Sequence, residues 1–270
     1  MQLVCVRYHR WKLHVKGGKK RSPESYRLRE YRTMPDMEEL YSCAVRVKDT
    51  DLHILSDCDV SGQAVDLALQ YRLQVETYAN GRPEFIHSLV PLAQDRQAPP
   101  IIRDMLAAGR KASVGPMAAV AGVIAEYVGR ALLAAGCNEV IVENGGDIFL
   151  HRCRGCTVAI FAGESPLSLE VGVRVGEQLM PAGVCTSSGT VGHSLSFGRA
   201  DSVTVLAQST ALADAVATRL GNEVGVSAGK DRGIQRALRL GMEIEGIRAV
   251  VVICDDKIGA VGDVELVKLK

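Results

Sequence analysis

The chain has few aromatic side chains and almost no net charge, and each shortage argues against a class of partner. The aromatic fraction of the 270 residues is 4%, and the formal net charge at pH 7 is +1. A low aromatic content leaves few rings on which nucleic-acid bases could stack, and a near-neutral chain has no overall field that attracts polyanions. A nucleic-acid partner is therefore not expected.

Long apolar runs and a signal peptide are also missing from the sequence. No run approaches the roughly 20 apolar residues that cross a bilayer, and Arg7, Arg10 and Lys12 interrupt the N-terminal segment where a cleaved signal peptide is apolar. The eight cysteines are scattered along the chain, which predicts reduced cytosolic thiols rather than a disulfide framework. We expect a cytoplasmic protein with no membrane partner.

The apolar periodicity and the turn residues predict one α+β domain, with mixed and largely antiparallel sheets flanked by helices. Residues 1–36 form a basic arm, and residues 37–270 form the domain, because no linker stands out after residue 40. The arm is read as a solvated extended segment, as a surface whose Arg29 and Arg32 reach a phosphate, or as a docking surface for a protein or RNA. The oligomeric state stays open, with a homo-oligomer among the alternatives.

The expected elements follow from these patterns. The expected strands are 41–48, 51–56, 139–142, 148–150, 157–162, 169–175, 202–207, 247–254, 258–261 and 264–267. The expected helices are 60–78, one starting at Pro99-Pro100, 113–136, one starting near Ser209, and 231–240.

The densest group of small polar residues lies in residues 183–222. A loop of hydroxyl residues and glycine is followed there by a single histidine, His193. Such a loop can hold phosphate oxygens through backbone amides and hydroxyls, so it is expected to form one wall of an anion or nucleotide site. A second interpretation makes Cys185 a nucleophile with His193 as its base, while a third makes Cys185 a small core residue. The loop residues expected to contact the ligand are Thr186, Ser187, Ser188, Gly189, Thr190 and His193.

Asp214 and Thr218 lie four residues apart on the helix expected after Ser209, and so their side chains share one face. A carboxylate and a hydroxyl are hard oxygen ligands that suit Mg²⁺. Alternatively, Thr218 bonds back to its own helix and Asp214 lies on the surface. The apolar neighbours of Asp214 instead predict a partly buried carboxylate that needs a partner.

Two further segments are expected to complete the site. Residues 113–136 give a helix signal with Ser113 as its cap, Pro116 in its first turn and a start rich in alanine and glycine. That start fits close helix packing as well as an anion held by the first amides. Residues 144–147 fit a hairpin turn as well as a ligand contact at a strand end. The ligand contacts expected here are Ser113, Gly115, Asn144, Gly145, Gly146 and Asp147.

The only CxxC pair, Cys153 and Cys156, is interpreted as an exposed hairpin turn. A structural zinc site needs four ligands, and no second pair is present. A redox CxxC normally opens a helix, whereas this pair lies between expected strands.

Four segments, taken together, resemble the motifs of the ApbE superfamily, the flavin transferases once called thiamine-biosynthesis lipoproteins. Residues 115–118, 144–147, 185–189 and 213–218 are similar, in this order, to its helix-start, Gly-Gly-Asp, Ala-Thr-Ser-Gly and Ala-Asp-Ala-x-Ala-Thr motifs. The strings VGPMAAVAG, VENGGDI and TSSGTVGHSLSFGRAD look closer still to an uncharacterised, cytosolic ApbE-like family of bacteria and archaea. The resemblance covers roughly residues 40–268.

This resemblance implies an ApbE-like fold in which Asp214, Thr218 and the carbonyl of Ala118 hold Mg²⁺. It also implies that the loops hold FAD or another phosphorylated flavin or nucleotide, with His193 and Asp214 as candidate catalytic residues. Two departures stand out, because Ala119 replaces a lysine of the transferases and Ser196 replaces an aspartate. The chain is therefore interpreted as a magnesium-dependent transferase-like enzyme or, alternatively, as a non-catalytic flavin or nucleotide sensor or carrier.

Overall fold

A computed structural model of the chain describes residues 40–188, 200–224 and 230–269. Its strands are β1 (Tyr41–Val47), β2 (Thr50–Ser56), β3 (Val140–Asn144), β4 (Asp147–His151), β5 (Cys156–Ala159), β6 (Val171–Val175), β7 (Ala182–Ser187), β8 (Ser202–Ala207), β9 (Ile247–Cys254), β10 (Lys257–Gly262) and β11 (Glu265–Lys268). Its α-helices are α1 (Ser61–Ala79), α2 (Pro83–His87), α3 (Pro100–Ala112), α4 (Val120–Ala134), α5 (Thr210–Glu223) and α6 (Lys230–Met242), and two 3₁₀ turns cover Pro116–Ala119 and Glu177–Leu179.

Two antiparallel sheets carry the described part of the fold. The larger has eight strands in the order β1-β2-β3-β4-β7-β8-β9-β10, and the smaller has three in the order β11-β6-β5. Every strand pair in both sheets is antiparallel. The predicted α+β architecture with largely antiparallel sheets is thereby confirmed.

The large sheet is covered on both faces, which explains why its central strands are rich in valine and isoleucine. On β3, Val140 and Val142 belong to a core that also contains residues of all six helices, while Ile141 belongs to a second core. That second core joins the large sheet to the small one. The helices therefore form one outer layer and the small sheet the other.

The segment Pro116–Ala134 is long and apolar enough to cross a membrane by length and composition, so the expectation that no run approaches this length was wrong. Half of the segment is buried inside the protein. Its buried residues include Val123, Val128 and Leu132, which belong to the core between helices and large sheet. The apolar composition is accounted for by this core position.

The helix expected at residues 113–136 begins later than predicted. Ser113 does not cap its start but ends α3, with a left-handed φ of 60° and its own N–H bonded to the carbonyl of Arg110. Gly115 then leads into the 3₁₀ turn, where Pro116 does occupy the first turn. A side chain at Gly115 would collide with the carbonyl oxygen of Ser88, so the packing at this position requires glycine.

Two expectations about cysteine were also wrong. Cys58 and Cys137 form a disulfide, although reduced thiols were expected throughout. Cys153 and Cys156 do not lie in a hairpin turn, because β4 belongs to the large sheet and β5 to the small one. The CxxC segment therefore connects two sheets, with Cys153 exposed and Cys156 half-buried, both as free thiols.

Candidate functional site

The helices α4 and α5 each present a carboxylate to the first turn of the other. The backbone N–H of Gly122, in the first turn of α4, donates to Oδ2 of Asp214 at 2.8 Å. In return, Oε2 of Glu126 on α4 accepts from the N–H groups of Thr210 at 2.7 Å and Ala211 at 3.2 Å. First-turn amides have no partner within their own helix and carry partial positive charge. The two carboxylates therefore fix the helices against each other.

The expected metal ligands Ala118 and Thr218 lie in the two segments that form this contact. Glu126 meets Thr210 and, one turn earlier on α4, Gly122 meets Asp214. Ala118 precedes Gly122 by four residues, and Thr218 follows Asp214 by four residues. Ala118 lies in the 3₁₀ turn ahead of α4, and both residues are half-buried.

The close approach of the two helices depends on Gly122. A Cβ at this position would lie 2.6 Å from the carbonyl oxygen of Thr210 and 2.7 Å from Cβ of Asp214. Real Cβ contacts are essentially never this short. Close helix packing therefore accounts for Gly122 in the first turn of α4.

The expected turn at residues 144–147 is a two-residue hairpin between β3 and β4. Asn144 pairs with Asp147 across it, and Gly145 and Gly146 have φ values of 68° and 105°, which two-residue hairpins require. The side-chain amide of Asn144 donates to the carbonyl of Ala121 at 3.0 Å. The hairpin is thus bound to the start of α4, and it carries Asp147 into the same region.

Asp147 and Asp214 are two buried carboxyl groups whose pKa values are both raised. Burial raises the pKa of Asp214 to about 7, against the lowering effect of the Gly122 and Ala121 amides. Burial also raises the pKa of Asp147 well above its ordinary value, and the charges of Asp214 and Glu143 raise it further. None of the ion pairs between described residues includes Asp147 or Asp214. Burial therefore disfavours the ionised forms of both carboxyl groups, and a bound cation would stabilise those forms.

Cys185 lies beside these carboxylates, opposite Asp147 in the β4–β7 ladder. Its thiol donates to the carbonyl of Thr210 at 3.3 Å. Burial raises the pKa of the Cys185 thiol well above its ordinary value, and the charges of Asp147 and Asp214 raise it further. Since the thiolate is the nucleophilic form, this environment disfavours Cys185 as a nucleophile and favours it as a small core residue.

The described part of the polar loop begins at the end of β7. The hydroxyls of Thr186 and Thr204 hydrogen-bond across the β7–β8 pair at 2.9 Å. The hydroxyl of Ser187 is buried and has no hydrogen-bond partner within the described ranges. A buried hydroxyl normally has a hydrogen-bond partner, and a bound polar ligand could supply one to Ser187. Ser188 is the last described residue of this loop.

Not all of the expected site residues are brought together. Gly189, Thr190 and His193 lie outside the described residues, as do Ser196 and the arm at residues 1–36. Ser113 is exposed at the end of α3, and no hydrogen bond or ion pair among the described residues joins it to Asp147 or Asp214. Glu126 and Glu143 were not among the residues expected at the site, although Glu126 lies between apolar residues, which is a signal of burial with a partner.

Comparison with known proteins was made on the sequence and on the fold. A family model described as "AbpE bacteria" matches residues 32–265. A UPF0280 protein of Methanocaldococcus jannaschii is 42% identical over 228 residues, which cover 82% of this chain and 91% of the relative.

Two solved structures share the fold at low identity. The flavinyl transferase ApbE of Pseudomonas stutzeri, in its apo form, has a TM-score of 0.51 and 14% identity, covering 83% of this chain and 94% of that one. The ApbE protein of Thermotoga maritima has a TM-score of 0.52 and 12% identity, covering 84% of this chain and 96% of that one. At these identities the likeness shows the fold alone. Because the family model spans most of the chain, the protein belongs to the ApbE-like family described as AbpE bacteria.

Proposed function

We propose that the region between α4, α5 and the β3–β4 hairpin binds a phosphorylated cofactor, a flavin nucleotide such as FAD, together with one divalent cation. The observation that carries this proposal is the pair of buried carboxylates, Asp147 and Asp214, which has no basic partner among the described ion pairs. Two ionised carboxylates in a low-dielectric site repel each other and lose hydration. A divalent cation would offset both effects.

The donor set fits Mg²⁺. The carboxylate of Asp214 is buried and already oriented by Gly122, and in this proposal Thr218 and the Ala118 carbonyl approach the cation from the same end of the helix contact. All three offer hard oxygen atoms, which Mg²⁺ prefers, and Mg²⁺ commonly shares its remaining positions between water and substrate phosphates. When bound, Mg²⁺ would neutralise charge on those phosphates.

The chain's own residues would hold the remainder of the cofactor. The hydroxyl of Ser187 lies at the end of β7, where it could donate to a phosphate oxygen. Asn144, bound to Ala121, would keep the hairpin against α4 while the ligand is held. In this proposal Asp214 and His193 carry the reaction.

A magnesium-dependent, flavin- or nucleotidyl-transferase-like activity is the first candidate, since two structures of this fold are of proteins named as ApbE, one of them a flavinyl transferase. A non-catalytic sensor or carrier is the second candidate. Ala119, fully buried, stands where the transferases resembled by this sequence have a lysine, and this favours binding without turnover. With either function the protein would be cytoplasmic, and its partner would be a small phosphorylated ligand rather than nucleic acid or a membrane.

Calorimetric titration of the full chain with FAD, with Mg²⁺ and with both tests the proposal. FAD is expected to bind the parent protein more tightly when Mg²⁺ is present, and Asp214→Asn and Thr218→Val are expected to lose that gain. Asp231→Asn is the matched control, because Asp231 is exposed and lies on α6. Equal FAD and Mg²⁺ binding by Asp214→Asn and the parent would overturn the proposed site.

Chromatography of the same mixtures separates the two candidates. Release of a cleaved nucleotide from FAD on incubation with Mg²⁺ would establish an enzyme and exclude the sensor or carrier. Tight binding with FAD recovered intact would favour the carrier.

A further inference from the structure

A second group of ligating side chains lies at the end of β3 away from the candidate site. Asp57, Cys58 and Cys137 bring a carboxylate oxygen and two sulfur atoms within 4.8 Å of one another. Asp57 and Cys58 follow β2, and Cys137 lies between α4 and β3. The two sulfurs are joined as a disulfide in the structure, across a sequence separation of 79.

The frame around this group does not depend on the sulfur–sulfur bond. Oδ1 of Asp57 accepts from the backbone N–H groups of Asn138 at 3.0 Å and Glu139 at 3.1 Å, and Oδ2 accepts from the Asn138 side chain at 2.9 Å. The N–H of Asp57 donates back to the carbonyl of Glu139 at 3.2 Å. The β2–β3 ladder runs up to these loops, ending with Ser56 opposite Val140. The two thiols would therefore stay adjacent after reduction.

The location also favours a cation electrostatically and sterically. Cys137 lies three residues after the C-terminal end of α4, and its N–H donates to the carbonyl of Leu132 at 3.3 Å. The C-terminus of a helix carries partial negative charge, which stabilises nearby cations. Cys137 is buried, Cys58 half-buried and Asp57 exposed, so an ion can approach from the Asp57 side.

We propose that the dithiol form of this group is a binding site for a thiophilic divalent cation such as Zn²⁺, with Cys58, Cys137 and Asp57 as protein ligands and water as the fourth. Thiolates select Zn²⁺ over Mg²⁺ or Ca²⁺, and three protein ligands with one water form a known tetrahedral arrangement. The amides of Asn138 and Glu139 orient the Asp57 carboxylate, as outer hydrogen bonds commonly do for metal ligands. This inference is independent of the flavin site.

The disulfide and the metal site exclude each other, because both use the same two sulfur atoms. Reduction by a phosphine breaks the S–S bond and delivers two electrons and two protons to the sulfurs, while the phosphine takes oxygen from water and becomes a phosphine oxide. Binding of Zn²⁺ to the dithiol then displaces the two thiol protons.

Cobalt titration of the full-length protein tests the site. The protein is reduced with a water-soluble phosphine, desalted under argon and titrated with Co²⁺, and then Zn²⁺ is added. One equivalent of Co²⁺ is expected to give sulfur-to-cobalt charge-transfer absorption and intense tetrahedral bands, both abolished by Zn²⁺. Cys58→Ser and Cys137→Ser should each weaken binding by more than the roughly 10–100-fold typical of losing an outer-shell partner.

The double variant Cys153→Ser/Cys156→Ser is the matched control, because it removes the other nearby pair of free thiols and should leave the spectrum unchanged. Absence of charge-transfer bands in the reduced parent would overturn the proposal, as would their loss only in the control variant. A second experiment uses the unsubstituted protein, so that the test still holds if the cysteine variants fail to fold. Zn²⁺ should slow the alkylation of Cys58 in the reduced parent, as mapped by peptide mass spectrometry, and an unchanged labelling rate would also overturn the proposal.

Discussion

Replacing Asp214 by asparagine should stabilise the metal-free protein while removing its response to Mg²⁺. The asparagine keeps an oxygen that can accept from Gly122, but it cannot ionise. Burial raises the pKa of Asp214 from its ordinary value of 3.8 to about 7. The ionised side chain is thus a destabilising feature unless a cation offsets it.

The sign and size of the effect follow from linkage. A carboxyl group whose pKa is raised in the folded state favours folding at low pH, and this advantage is lost as the pH rises from 3.8 through about 7. The difference between the two pKa values corresponds to at most about 4 kcal/mol in the free energy of unfolding, because a pKa difference of one is worth about 1.4 kcal/mol. Above pH 7, metal-free Asp214→Asn should therefore exceed the parent in stability by up to this amount.

Urea denaturation in EDTA and in Mg²⁺, repeated from about pH 5 to about pH 8, measures this effect as a free energy of unfolding. Mg²⁺ should raise the stability of the parent at the higher pH and leave Asp214→Asn unchanged, because only the parent offers the carboxylate. Asp231→Asn, which removes an exposed ion pair with Lys257, should change stability by roughly 1 kcal/mol or less. A metal-free parent that gains stability as the pH rises through this window would refute the reasoning.

Three further predictions concern the α4–α5 contact and the division of the chain. Gly122→Ala should lower the free energy of unfolding by about 1–3 kcal/mol in urea denaturation, because its Cβ would meet Thr210 and Asp214; an unchanged or higher value would contradict the close contact. Glu126→Gln should lower the free energy of unfolding by about 1–3 kcal/mol, because the N–H groups of Thr210 and Ala211 lose a charged acceptor. A Glu126→Gln variant that unfolds at the same midpoint temperature as the parent would contradict that role. Deleting residues 1–36 should leave FAD and Mg²⁺ affinities unchanged in calorimetry, and a loss of affinity would assign the arm to the site.

The sequence predicted the layout of strands and helices well where local patterns decide it. The β3–β4 hairpin followed from two glycines between apolar runs, and the strands at 202–207 and 247–254 match β8 and β9. The start of α4 was misplaced because Ser113 carries a capping residue's chemistry. In the structure Ser113 has a left-handed φ of 60° and ends α3 instead.

The site was only partly accessible from sequence, for a different physical reason. The spacing of Asp214 and Thr218 on one helix is local and could be read directly. Glu126 contacts α5 across a separation of 84 residues, so nothing near it in the chain indicates its partner. The Cys58–Cys137 pair is equally distant in sequence, and its adjacency arises only when β2 and β3 pair.

Native mass spectrometry of the full-length protein, titrated with FAD and Mg²⁺, tests the central claim most directly. The account predicts a complex that contains FAD and Mg²⁺ together, and it predicts that both EDTA and Asp214→Asn greatly reduce the FAD-bound species. An FAD-bound species of equal abundance in EDTA and in Asp214→Asn, or no FAD bound in the presence of Mg²⁺, would contradict a cation-dependent flavin site at Asp214.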